Sequence, residues 1–106
     1  MSRYLTATII EEETQLSLAE LCRACSVREE QIQVWVVEGV LQPLGDAPRE
    51  APQQWRFAGP ALRRARLAIT LSRDLEVNPP GIALALDLMD QIETLNARLR
   101  RTAVLG

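Results

Sequence analysis

The chain has 106 residues, of which 47% are hydrophobic, and this length and composition predict one folded domain rather than a disordered chain. Its formal net charge is −2, whereas domains that bind nucleic acid are usually basic. Histidine, the commonest general base and metal ligand, is absent. These totals disfavour a nucleic-acid-binding protein, an enzyme and a metalloprotein.

The sequence also bears on location. No apolar run approaches the roughly 18 residues that a membrane-spanning helix needs. Residues 1–10 lack the positively charged start and the long apolar core of a secretory signal. We therefore expect a cytoplasmic protein without a membrane partner.

Two short patterns open the chain. Residues 3–13 alternate loosely between apolar and polar side chains, which predicts a short edge strand. The sequence S-L-A-E at 17–20 has the form of a capping box, so a helix should begin near Leu18. This helix should be short, because Cys25 and Ser26 interrupt its pattern.

The two cysteines, Cys22 and Cys25, form a C-R-A-C sequence. Such a pair can be a redox centre or half of a zinc site. Zinc would need two further ligands, and neither a histidine nor a second cysteine pair is present to supply them. A thioredoxin-like motif would lie near a βαβ pattern, which the sequence does not show. We therefore expect two small buried thiols, and neither a metal nor another cofactor.

A second helix is predicted from about Arg28 to Glu38, and Gly39 can end it by adopting a positive φ. Glu29 and Glu30 fall in its first turn, where they complement the helix dipole. Two short helices joined by a tight turn are typical of a helix-turn-helix. The apolar side of the second helix comprises Val27, Ile32, Trp35 and Val36.

The middle of the chain predicts a small hairpin, or wing, followed by a third helix. Val40–Leu44 reads as an extended segment, and Gln54–Phe57 reads as its return strand across a loop. Gly59 and Pro60 then open a helix over Ala61–Leu75. The apolar side of this helix comprises Leu62, Ala65, Ala68, Ile69, Ser72 and Leu75.

One long helix is predicted over Asn78–Arg101, with Asn78 as its N-cap and Pro79 in its first position. After Met89 its apolar residues narrow to a coiled-coil seam, which favours pairing with a second copy of the chain. The alternative is a last helix that folds back on its own domain. The seam continues the 4, 3, 4, 3, 4 spacing of Gly81, Ala85, Leu88, Ile92, Leu95 and Leu99.

This order of elements resembles the MerR-type winged helix-turn-helix fold, which is mainly α with a short β wing and a long C-terminal helix. The resemblance divides a single domain into a winged helix-turn-helix at 14–57, a third helix at 58–77 and a dimerising helix at 78–102. The residues that carry it are L-A-E-L at 18–21, S-V at 26–27, E-G-V-L-Q-P at 38–43, W-R-F at 55–57 and R-D-L at 73–75.

The chemistry of DNA binding is mostly missing from this MerR-like chain. DNA affinity comes mainly from neutralising phosphates, but the second helix carries Glu29, Glu30 and Glu38 against Arg28 alone. A dimeric MerR-like transcription regulator that binds DNA stays open as the alternative. Its basic surface would have to come from the arginines of the third helix, Arg63, Arg64 and Arg66.

A narrower family is more similar. The sequence V-N-P-P-G-I-A-L-A-L-D-L-M-D-Q-I at 77–92 looks like the signature of the CbpM chaperone-modulator family, and E-G-V-L-Q-P and W-R-F accompany it. The resemblance implies a protein without catalytic machinery that binds the J domain of the DnaJ-like co-chaperone CbpA. Binding would block stimulation of the Hsp70 chaperone DnaK and lower the DNA binding of CbpA. Any association with the nucleoid would come through that partner.

We expect the contacts with this partner to combine charge with apolar anchors. J domains present a basic helix, so acids on the helix-turn-helix would be complementary to it. The two tryptophans are candidate anchors, with burial in the core as the alternative. The candidate partner-binding residues are Glu29, Glu30, Glu38, Trp35, Trp55, Arg56, Asp87 and Asp90. The candidate dimer seam is Leu88, Ile92, Leu95 and Leu99.

Overall fold

The computed structural model describes residues 15–105, so the strand predicted at 3–13 lies outside the described residues. The described part is mainly helical, with two short strands and a long C-terminal helix, as predicted. Its elements are β1 (Gln15–Ser17), α1 (Leu18–Cys25), α2 (Glu29–Val37), a 3₁₀ turn (Pro52–Gln54), β2 (Arg56–Ala58), α3 (Pro60–Leu75) and α4 (Pro79–Leu105).

A reciprocal capping box begins α1, as the sequence predicted. The Glu20 amide donates to Ser17 Oγ at 3.1 Å, and the Ser17 amide donates to Glu20 Oε1 at 2.9 Å. The Ser17 backbone N–H, followed by its hydroxyl, holds the pKa of the Glu20 carboxyl below its usual value. Ser26 ends the helix at φ 56°. The side chains of Leu18, Leu21, Cys22 and Cys25 are buried.

The end of α2 shows why the predicted wing hairpin is wrong. Gly39 takes φ 82°, which turns the chain back beneath the helix. The amides of Val40 and Leu41 then both donate to the Trp35 carbonyl, at 2.8 and 3.2 Å. Both side chains are buried. These residues therefore complete the C-terminal turn of α2 and are not free to form a strand.

The strand β2 pairs instead with β1, in antiparallel register. Leu16 lies opposite Phe57, which is fully buried, so the pairing covers the edge of the core. The segment predicted to pair with β2 contributes a single bond, from the Leu44 amide to the Arg56 carbonyl at 2.7 Å. The wing is thus a loop held at both ends rather than a hairpin.

The described buried side chains form one apolar cluster beneath α1, α2 and the sheet, with contributions from α3 and α4. Trp55 packs edge-on against Phe57 with ring centroids 6.2 Å apart. Its indole Nε1–H donates to the Pro48 carbonyl at 3.0 Å, which fixes the wing loop over the core.

Small side chains let α3 approach the rest of the fold. Ala65 and Ala68 are fully buried, whereas Ser72 and Leu75 are exposed. The predicted inward side of α3 is therefore right for its first half and wrong for its last turn. The last turn lies past the core, and Val77 packs against the core in its place, with its amide bonded to the Leu71 carbonyl at 3.1 Å.

The helix α4 begins as predicted, because the Gly81 amide donates to Asn78 Oδ1 at 2.8 Å. A Cβ at Gly81 would lie 2.8 Å from Val77 Cγ1, so this close turn needs glycine. Among the residues of α4 whose burial is described, Ile82 and Leu86 are buried. At 1.5 Å per residue the 27-residue helix is about 40 Å long. Most of it extends past the core.

Candidate partner-binding surfaces

The exposed residues of α2 and its C-cap include the three acids that the sequence singled out. Glu29 and Glu30 lie in the first turn, and Glu38 follows the last helical residue as the C-cap. All three are exposed. Val34 and Val37 lie between them along the helix and are 43% and 62% exposed. We call these five residues the α2 face.

The three acids differ in their effect on α2 itself. Glu29 and Glu30 complement the positive end of the helix dipole. Glu38 lies at the negative end, and the last turn contains no basic residue. A carboxylate there is unfavourable by an amount on the order of 0.3–1 kcal/mol. Helix stability therefore does not account for Glu38, which gives this end of α2 a negative potential that a partner's cation can neutralise.

Both tryptophans lie in the core. Trp35 is 1% exposed and Trp55 is 2% exposed, so neither reaches a partner while the core is closed. The structure thus favours the alternative of core residues over surface anchors. Trp35 Nε1 has no hydrogen-bond partner among the described residues. The role of Trp35 is therefore to fill the space beneath α2 rather than to form a polar contact.

Arg56 is an exposed residue of β2. Its guanidinium Nη1 donates to the carbonyl of its neighbour Trp55 at 2.9 Å. Its own carbonyl accepts from Leu44. Arg56 thus helps to hold the wing loop while its side chain remains at the surface.

Asp87 and Asp90 have a partner within the chain that the sequence did not reveal. Arg64 of α3 donates from Nη2 to Asp87 Oδ1 at 2.8 Å and from Nη1 to Asp90 Oδ2 at 2.9 Å. Its Nε also donates to the Val40 carbonyl. Arg64 thereby joins α3, α4 and the turn after α2. The spacing of the two aspartates places them on one helix face, but only the tertiary fold identifies their cation.

The predicted seam of α4 is exposed along its whole length. Leu88, Ile92, Leu95 and Leu99 are 47% to 67% exposed, so α4 does not fold back over them within the described chain. Leu84, at 62%, extends this apolar line toward the core. Leu84 lies two residues after the buried Ile82, which places it about 200° around the helix. We call these five residues the α4 seam, and it faces away from the domain.

Two further features of the described residues bear on chemistry, a groove and the pair of thiols. A groove of about 450 Å³ lies beside Arg64, between the start of α3 and the middle of α4, and its polar edge includes Asp90 and Glu93. No group of three potential metal ligands occurs among the described residues. Burial raises the pKa of the thiols of Cys22 and Cys25, which disfavours their reactive thiolate forms. None of the described helices has the length and apolar composition needed to cross a membrane.

Comparisons with known proteins decide the family. The family model for MerR HTH family regulatory proteins matches residues 16–103, from β1 almost to the end of α4. A relative from Coxiella burnetii, the chaperone modulatory protein CbpM, is 44% identical over 92 residues, which cover 87% of this chain and 83% of the relative. The chain belongs to the CbpM chaperone-modulator family. CbpM proteins from Pseudomonas putida and Pseudomonas entomophila are each 29% identical, covering 88% of this chain and 85% of theirs.

Membership of the CbpM family confirms the resemblance that the sequence carried at 77–92. These residues form the turn before α4 and the part of α4 that packs on the core. The CbpM match also agrees with the MerR-like fold of the helices and the two-stranded sheet. The chain is therefore a member of the chaperone-modulator family with a regulatory helix-turn-helix fold.

Proposed function

We propose that the protein binds the J domain of the DnaJ-like co-chaperone CbpA and prevents it from stimulating DnaK. The observation that supports this most is the acidic α2 face in a chain of the CbpM family. J domains present a basic helix beside the loop that engages Hsp70. An acidic helix bound to this basic helix would compete with DnaK for the same surface of the J domain.

We assign the charged contacts to Glu29, Glu30 and Glu38. All three are exposed on one helix; Arg28 and Arg73 lie beside Glu30, whereas the last turn of α2, next to Glu38, contains no basic residue. Asp87 and Asp90 are weaker candidates, because Arg64 already neutralises part of their charge. Arg56 carries the wrong charge for a basic partner, so its proposed part is to hold the wing beside α2.

We propose that the α4 seam pairs with the same seam of a second copy. Exposed leucines and an isoleucine at heptad-like spacing need a second helix to bury them. The positions that flank the seam are Met89, Gln91, Asn96 and Arg98, so the proposed pairing rests on apolar contact rather than on ion pairs.

The place of action follows from the partner. We propose that the protein acts in the cytoplasm and lowers the DNA binding of CbpA by binding CbpA rather than DNA. Direct binding to DNA is disfavoured because the α2 face would bring three carboxylates toward phosphates. Association with the nucleoid would then require CbpA.

A steady-state ATPase assay tests the proposed function. DnaK, with a substrate peptide and a fixed amount of CbpA, is titrated with the protein. We expect the rate to fall to that of DnaK alone, and the rate of DnaK without CbpA to stay unchanged. An undiminished rate at saturating protein would contradict the proposal. If the protein did not inhibit but gave a salt-sensitive gel shift with duplex DNA, the alternative of a MerR-like transcription regulator would be supported.

A further inference from the structure

The two valines of the α2 face are exposed and do not belong to the buried core. The buried side of α2 is made by Ile32, Trp35 and Val36. Val34 and Val37 lie outside this side, one helical turn apart, and remain 43% and 62% exposed. Single exposed apolar residues are ordinary, but these two are neighbours on one helix face at i and i+3.

The charges around the valines select the kind of partner. Glu30, Val34, Val37 and Glu38 follow i, i+4, i+7 and i+8, so they form one line along α2. Its two carboxylates are about 12 Å apart along the helix axis. A second copy of this face would place acids against acids. A partner with basic residues on both sides of an apolar strip matches the line in charge and in spacing.

We propose that Val34 and Val37 are the apolar anchor of the J-domain interface, packing against an apolar strip between basic residues on one helix of the J domain. This inference rests on the proposed function and says which residues supply the apolar contact energy of the interface. The acids set orientation and association rate, whereas the valines exclude water at the centre of the contact. The sequence did not indicate this role, because the buried tryptophans were the more prominent apolar candidates.

Calorimetric titration with the isolated J domain of CbpA tests the anchor. The variant carries V34S and V37S, substitutions that barely change helix propensity. We expect its affinity to fall about tenfold or more, with the same dependence of affinity on salt as the unmodified protein. The control is L75S on α3, because Leu75 is 66% exposed and lies outside the α2 face. The conservative variant V37I should retain the affinity of the unmodified protein.

The outcomes separate this inference from the proposed function. If the unmodified protein binds and the double valine variant binds equally well, the anchor is wrong and the J-domain partner stands. If L75S weakens binding as much as the double variant does, the effect is not specific to the α2 face and the anchor is again wrong. If the unmodified protein does not bind the J domain, the proposed function fails and the anchor fails with it. Circular dichroism melting shows that each variant is folded.

Discussion

The α2 face and the α4 seam both expose apolar side chains, but they differ in the charges beside them. The α2 face combines two valines with three acids and has no cation in its last turn. The α4 seam has five larger apolar residues on a helix that carries both acids and arginines. A surface on which acids predominate repels its own copy and favours a basic partner, whereas an apolar seam with few flanking charges can pair with itself. Charge therefore separates the two surfaces by kind of partner.

The largest expected effect comes from placing charges in the α4 seam. The variant L88D with L95D would bury four carboxylates in the proposed dimer. We expect the dissociation constant of the dimer to rise at least a hundredfold, so sedimentation equilibrium should show a monomer. T94D is the control, since Thr94 is exposed but lies off the seam. A variant that still forms dimers, or an unmodified protein that is monomeric, would contradict the proposed pairing through the α4 seam.

Reversing the charge of the α2 face is the next test of the comparison. The variant E29K with E30K should weaken binding to the J domain at least severalfold, because it removes attraction and adds repulsion. It should also flatten the dependence of affinity on salt and leave the dimer intact. Fluorescence anisotropy with a labelled J domain measures the affinity.

The matched control for this charge reversal is D46K with E50K in the wing loop, which changes the net charge by the same amount. Both residues are exposed and lie outside α2. If this control weakens binding equally, the overall charge of the protein matters and the α2 face does not.

The two tryptophans separate the buried side of α2 from its exposed face. W55F removes the hydrogen bond to the Pro48 carbonyl, whereas W35F removes an N–H without a partner among the described residues. We therefore expect W55F to lower the free energy of unfolding by about 1 kcal/mol more than W35F does. Urea denaturation measures this difference. At temperatures where both variants are folded, neither should lose affinity for the J domain. A loss of affinity with W35F alone would indicate that Trp35 takes part in the interface with the J domain.

The smallest expected effect concerns Arg64, which connects the two surfaces by holding α4 against the turn after α2. The side chain of Arg64 is 22% exposed, but its aspartate partners are 62% and 67% exposed, so each ion pair contributes little. R64M should lower the free energy of unfolding by about 1 kcal/mol, mainly through the lost bond to the Val40 carbonyl. R66M is the control on the same helix. If the two variants were equally stable in urea denaturation, Arg64 would not be the residue that holds α4 against the turn after α2.

The sequence predicted the features that depend on a few neighbouring residues. The capping box at Ser17 and Glu20, the positive φ of Gly39 and the N-cap at Asn78 are all present. The pairing of strands was wrong because it depends on residues far apart in the chain. Nothing in Val40 or Leu41 shows that their amides are already bonded to Trp35.

The candidate surfaces, like the fold, were predicted only in part. Carboxylates such as Glu29 and Glu30 are recognisable from composition, because charged side chains are almost always exposed unless paired. The exposure of Val34 and Val37 could not be predicted in the same way. Five of the last six residues of α2 are apolar, and only packing decides which side of the helix is buried. The ion pairs of Arg64 likewise need the crossing of α3 and α4.

The most direct test of the central claim is a calorimetric titration of the protein with the isolated J domain of CbpA, at two salt concentrations. We expect saturable binding, with one J domain for each chain, that weakens as salt rises, because the contact is between an acidic helix and a basic one. Binding that is absent at low salt would contradict the proposed function. Binding that is equally strong at both salt concentrations would leave the partner in place and remove the acidic α2 face as its docking site.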